Sequence, residues 1–187
     1  MGRHLVSAKN DKVYVLDTGP LSHFARSQWL GALKAVLHES RVLIPDTVET
    51  ELRSGVAQHS ELQAVLDADW IEMTVIDTDE QLAAFSHYTR HLVGPARRNY
   101  GECGVLALAE TTPNATAVLD DRVAKRLGEQ RKVEVRGTLG LLCEAIRQGL
   151  LTVPLVSAVA DDLLMNRYRL PFGPGGFARW AEENGLA

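Results

Sequence analysis

Two periods of apolar residues alternate along the chain. Val13-Tyr14-Val15-Leu16 is a short unbroken apolar run ending in Asp17-Thr18-Gly19-Pro20, which predicts a buried strand leading into a turn. Leu21, Ala25, Trp29, Leu33, Val36 and Leu37 then recur at helical spacing. Arg41-Val42-Leu43-Ile44 predicts a second strand closed by Pro45. Asp46 is placed to cap a helix carrying Val48, Leu52 and Val56, with Glu49 three residues on as in a capping box. Residues 61–68 predict a helix, and 70–76 alternate as an edge strand or extended link. Further on, the pattern predicts a helix over 79–91, a basic loop over 94–100 and a helix over 102–110. A strand over 115–119, a basic helix to about Gln130, a strand over 133–135 and a Thr138-capped helix through Gln148 complete the series.

Strands separated by helices imply an α/β fold, a parallel sheet sandwiched between helices on both faces. The expected organisation is a tail over 1–12, one domain over 13–150 and a C-terminal helical appendage over 151–187. In the appendage, helices over 157–167 and 177–184 flank a Pro/Gly-rich link, 170–176. Leu163, Leu164 and Met165 suit a core, a dimer face or a partner dock equally well.

Composition narrows the class. The 187 residues are 45% hydrophobic and 24% charged, ordinary globular usage that excludes a disordered, collagen-like or disulfide-scaffold chain. No apolar run approaches the roughly 20 residues of a membrane span. The first twelve residues lack the apolar stretch of a signal peptide. Cys103 and Cys143 form no CxxC or Cys/His pattern and read as buried thiols, consistent with a reducing cytoplasm. His87 and His91 stand at i, i+4 but lack the Glu of HExxH, and neither a P-loop nor a GxSxG is present. The net charge of −4 leaves nucleic-acid binding to a local basic patch.

The carboxylates carry the chemistry. Asp17 ends one predicted strand and Asp120-Asp121 end another, so all three belong to the carboxyl rim of the sheet, where open parallel sheets bind ligands. Glu102 heads the stripe of Val105, Leu106 and Ala109, a costly place for an unpartnered charge. Glu49 and Glu51 both flank the apolar stripe of their helix, and spacing does not separate them. Each Asp also suits a helix cap, a purely structural role. If Asp17, Glu51, Glu102 and one or both of Asp120 and Asp121 converge, their repulsion calls for a hard divalent cation, Mg²⁺ or Mn²⁺. A cation so held activates water and clamps a phosphodiester.

VLDTGPL around Asp17, IPDTVETEL with Glu51, YGECGVLALAE with Glu102, and AVLDDRVAKRL followed by VRGTLGLL form an ordered series over 13–150. Together they resemble the PIN-domain nucleases, particularly VapC-type toxins of bacterial toxin–antitoxin pairs. The resemblance implies a PIN-like fold and a Mg²⁺- or Mn²⁺-dependent ribonuclease. Its catalytic acids map onto Asp17, Glu51, Glu102 and Asp121. Its metal ligands map onto Asp17, Glu102, Asp120 and Asp121, and Thr18 is a hydroxyl helper. The implied partners are an RNA substrate, a small antitoxin protein and a second copy of the chain, with no membrane.

RNA needs positive charge near these acids. Arg97 and Arg98 precede Glu102, and Arg122, Lys125 and Arg126 follow Asp121; Arg131, Lys132 and Arg136 extend the second group. Tyr100 suits stacking on a base or covering the core. The alternatives are a catalytically silent PIN-like module that binds RNA or protein, and a phosphohydrolase using Asp17 as nucleophile. The latter lacks the second acid of a DxD motif, since residue 19 is Gly.

Overall fold

The computed structural model describes residues 12–93 and 99–186. Five parallel strands form one sheet: β1 (Val13–Leu16), β2 (Arg41–Pro45), β3 (Ile71–Thr74), β4 (Ala115–Val118) and β5 (Glu134–Arg136). Their order is β3-β2-β1-β4-β5. All four residues of β1 are buried, as expected of a central parallel strand covered on both faces. The edge strands β3 and β5 are at most half-buried. The chain builds outward from β1 to β3, then crosses over and builds outward from β4 to β5. The topological switch point therefore lies between β1 and β4, which pair with Leu16 opposite Val118.

Ten helices accompany the sheet among the described residues: α1 (Thr18–Arg26), α2 (Leu30–Val36), α3 (Asp46–Gly55), α4 (Gln63–Leu66), α5 (Asp79–Leu92), α6 (Tyr100–Thr111), α7 (Arg122–Gln130), α8 (Thr138–Arg147), α9 (Val153–Met165) and α10 (Phe177–Glu183). The apolar spacing over 21–37 is divided between α1 and α2, because Gln28 turns left-handed at φ 60°. Asp46 does not cap α3. It is the first helical residue, Pro45 holds the cap position without a side-chain bond, and Glu49 pairs with Arg53 instead of closing a box. Thr138 likewise opens α8 behind Gly137, its hydroxyl directed to Asp120. The capping box that does form is Thr78 with Gln81 at the start of α5. Residues 61–68 fold as a 3-10 turn, Ser60–Leu62, and the short α4.

The most enclosed helix is α6, where Gly101 and every residue from Cys103 to Ala109 are buried. Gly104 lets it approach β2 closely, since a Cβ there would lie 3.0 Å from Pro45 Cγ. Val156, Val159, Ala160 and Leu163 of α9, with Phe177 and Ala181 of α10, join the same hydrophobic core as the sheet. Leu163 is thus core, whereas Met165 is exposed. Cys103 and Cys143 are buried free thiols. Among the described residues, no helix is long and apolar enough to cross a membrane.

Candidate active site

The site is built at the switch point. Asp17 follows β1, its backbone N–H bonded to Val118 O of β4 at 3.0 Å. Its side chain caps α1, with Oδ2 accepting from Gly19 N at 3.3 Å. The other oxygen, Oδ1, is buried and has no hydrogen-bond partner. Asp121 does the same for α7. Its Oδ1 accepts from Val123 N at 2.9 Å and Ala124 N at 2.8 Å, a full N-cap. The capping and site readings are therefore compatible. Each cap occupies one oxygen and fixes the rotamer of a carboxylate whose other oxygen remains.

Glu51 projects from α3 toward the same place. Its Oε2 accepts from the Thr18 hydroxyl at 2.5 Å, and its Oε1 from the Gly101 backbone N–H at 3.0 Å. Glu49 instead pairs with Arg53, so the structure separates the two acids that spacing left equivalent. Gly101 opens the way: a Cβ there would fall 2.7 Å from Glu51 Oε2 and 3.1 Å from Asp17 Oδ1. No side chain larger than hydrogen fits at position 101 while both carboxylates hold these positions.

The family model for the PIN domain (DUF3368) matches residues 13–172. The chain belongs to the PIN-domain family. No significant match was found among curated proteins. One solved structure, the crystal structure of VapBC2 from Rickettsia felis bound to a DNA fragment from their promoter, is similar at 16% identity with a TM-score of 0.49. The likeness covers 67% of this chain and 98% of that one.

Electrostatics bind the acids of this PIN domain into one group. Burial, then the charge of Glu102, pushes the Asp17 carboxyl up to about 8, with a smaller contribution from Glu51. Burial also raises Glu102, helped by Glu51 and Asp121. Desolvation thus outweighs mutual repulsion in raising both carboxyls. Cys103 is carried up to about 12 by burial and by the Glu102 and Glu51 charges, which leaves it an inert thiol.

Asp120 stands apart. Its carboxylate accepts from Thr138 N at 3.0 Å and from the hydroxyls of Thr138 and Tyr168 at 2.6 Å each, and Lys125 lies 3.7 Å away. Arg122 and Arg126 are exposed on α7, while Lys125 faces Asp120. Arg131 is paired with Glu110 and Arg136 with Glu134. Tyr100 packs its ring against Phe85 at 5.9 Å. Arg97 and Arg98 lie outside the described residues.

Among the described residues, no group of three or more His, Cys, Asp or Glu side chains is gathered closely enough to hold a metal. The chemistry of the donors nevertheless fits a hard divalent cation: they are all carboxylate oxygens, one of them buried without a partner. Two residues in contact with the rim acids escaped the sequence reading. Gly101 had a signal in its place just before Glu102 at the start of a helix. Tyr168 had none, being 48 residues from the acid it binds.

Proposed function

We propose that this PIN domain is a metal-dependent endoribonuclease that hydrolyses RNA phosphodiester bonds as the toxin of a toxin–antitoxin pair. The observation that carries the nuclease reading is the meeting of Asp17 and Glu51 over Gly101 at the switch point, with Glu102 next in the chain and its charge felt by Asp17. Membership of the family supports the same class of chemistry. The toxin assignment rests on the resemblance of the motif series to VapC-type toxins, with a small antitoxin protein as the partner.

In this reading Asp17, Glu102 and Asp121 offer their carboxylate oxygens to Mg²⁺ or Mn²⁺. The chemistry supplied by such an ion when bound is neutralisation of these charges and Lewis acidity at a phosphoryl oxygen. Glu51 holds the Gly101 N–H and the Thr18 hydroxyl, and so keeps the start of α6, with Glu102, against the end of β1. Arg122 and Arg126 lie on the helix that Asp121 caps and meet the phosphates of the substrate; Arg97 and Arg98, shortly before Glu102 in sequence, are the other basic residues assigned to RNA in this reading. Asp120 neutralises Lys125 and braces the rim.

The test is incubation of end-labelled RNA with the full chain, with and without Mg²⁺ or Mn²⁺. Cleavage that requires the ion and disappears in Asp17→Asn supports the reading. Intact RNA under all conditions, with or without a mobility shift, overturns it. Growth arrest on expression, relieved by a small protein encoded alongside, tests the toxin assignment.

A further inference from the structure

Asp120 is the rim acid that the candidate site leaves out. A carboxylate has about four lone-pair sites. Three of those of Asp120 are taken up, two by Thr138 at the start of α8 and one by Tyr168 just after α9, and Lys125 of α7 adds its charge from 3.7 Å. Tyr168 also reaches the opposite half of the rim. Its ring stands edge-on to His23 of α1, with centroids 4.9 Å apart. That helix is the one Asp17 caps. Three further bonds tie the C-terminal part of α9 and its cap to the link between α1 and α2: Trp29 Nε1 donates to Asp162 Oδ2 at 2.7 Å, Ser27 Oγ to Asp162 O at 3.2 Å, and Asn166 Nδ2 to Ser27 Oγ at 3.0 Å. The C-terminal segment thus bridges the switch point, with Tyr168 touching both sides.

We propose that Tyr168 is a positioning residue for the candidate metal site, fixing Asp121 opposite Asp17 and Glu102 by clamping the neighbouring Asp120 through its hydroxyl. This rests on the metal-dependent reading above. Asp121 is the one exposed acid of the four, and it stands in the short link between β4 and α7. Its own cap sets its side chain against α7, and the clamp on residue 120 sets the backbone from which that side chain leaves. Filling Asp120 also removes a competing carboxylate from the rim. The end of α9 and the residues just after it then supply part of the site's construction.

The test titrates Mn²⁺ into the full-length chain, following free Mn²⁺ by electron paramagnetic resonance. Wild type, Tyr168→Phe, Thr138→Val, Thr138→Ser and Asp17→Asn are compared at one pH. Partners that orient a ligand typically change metal affinity or activity about 10–100-fold. Tyr168→Phe is expected to weaken Mn²⁺ binding by roughly that factor. RNA cleavage should lose kcat with KM unchanged and the circular dichroism spectrum retained. Thr138→Val should show the same loss, and Thr138→Ser, which keeps the hydroxyl, should bind as wild type. If Tyr168→Phe does not fold, the Thr138 pair decides on the same readout. Wild-type Mn²⁺ affinity in Tyr168→Phe or Thr138→Val, alongside its loss in Asp17→Asn, overturns the clamp alone. A wild-type chain that binds no Mn²⁺ overturns both the clamp and the metal-dependent reading.

Discussion

Glu51 accepts a hydrogen bond from the backbone N–H of Gly101, 3.0 Å away and 50 residues further along the chain. The same carboxylate holds the Thr18 hydroxyl at 2.5 Å. One side chain therefore joins the starts of α1 and α6, the two helices that carry Asp17 at the cap and Glu102 in the first turn. Glu51→Gln keeps an acceptor oxygen for Gly101 and removes the charge. Since the Glu51 charge helps to raise Asp17, the variant is expected to lower the Asp17 pKa from about 8. Carboxyl-carbon NMR titration measures it, and an unmoved Asp17 resonance counts against electrostatic contact between the two.

Stability without metal should depend on pH with a definite sign. The Asp17 carboxyl titrates at about 8 when folded, against 3.8 as its ordinary value. Between these values the folded chain holds a proton that the unfolded chain has released, so rising pH favours unfolding. The contribution is fully present below about 4 and lost by about 8. Urea unfolding in chelator across that window should show stability falling as pH rises. Asp17→Asn should flatten the slope; an equal slope in the variant assigns it to other groups.

Gly101→Ala sets two effects against each other. Alanine favours a helix by about 1 kcal/mol over glycine. The added Cβ would stand 2.7 Å from Glu51 Oε2 and 3.1 Å from Asp17 Oδ1. The collision is with the site and not with the frame of the helix. The variant is expected to stay folded by circular dichroism and to lose Mn²⁺ affinity and RNA cleavage at least tenfold. Full activity in a folded variant would show that the carboxylates need not approach α6 so closely.

Arg122 and Arg126 are exposed on α7 beside the acids. A phosphate contact on single-stranded nucleic acid contributes about 0.7 to the slope of log affinity against log salt. Replacing both by Ala should reduce that slope by about 1.4 in RNA-binding titrations. A parallel pair of salt curves places the RNA elsewhere.

Tyr88 gives a contrast far from the site. It is fully buried, and its hydroxyl donates to Glu110 at 2.5 Å, while Arg131 grips the same carboxylate. Tyr88→Phe should cost about 1 kcal/mol of stability, the usual net worth of one hydrogen bond. It should leave Mn²⁺ affinity unchanged, unlike Tyr168→Phe.

The strand–helix alternation was legible because its signals are local. Val13–Leu16 reads as a buried strand because a short, β-branched-rich apolar run is followed at once by Asp-Thr-Gly-Pro turn chemistry, and Asp17 then falls on its carboxyl rim. Asp120 and Asp121 fall after β4 for the same reason, and the two carry an identical signal. The choice between Glu49 and Glu51, and between Asp120 and Asp121, depends on where a side chain points after helices pack. Helical spacing places both glutamates at the edge of one stripe, and the packing of α1 and α6 gives Glu51 its partners, Thr18 and Gly101. The turning of Thr138 toward Asp120 escaped the pattern because it depends on a group 18 residues away, and the break at Gln28 escaped it because the apolar spacing runs on through a left-handed residue closed by local bonds from Gln28 N to Ala25 O and Trp29 N to Phe24 O.

By itself, then, the sequence determined the order of the elements and which acids end the strands, since both follow from the period of apolar residues and the chemistry of turns. The tertiary structure decided which acids meet and which are spent on holding the rim. Those outcomes depend on contacts between residues 33, 48 and 50 positions apart, and local periodicity carries no information about them.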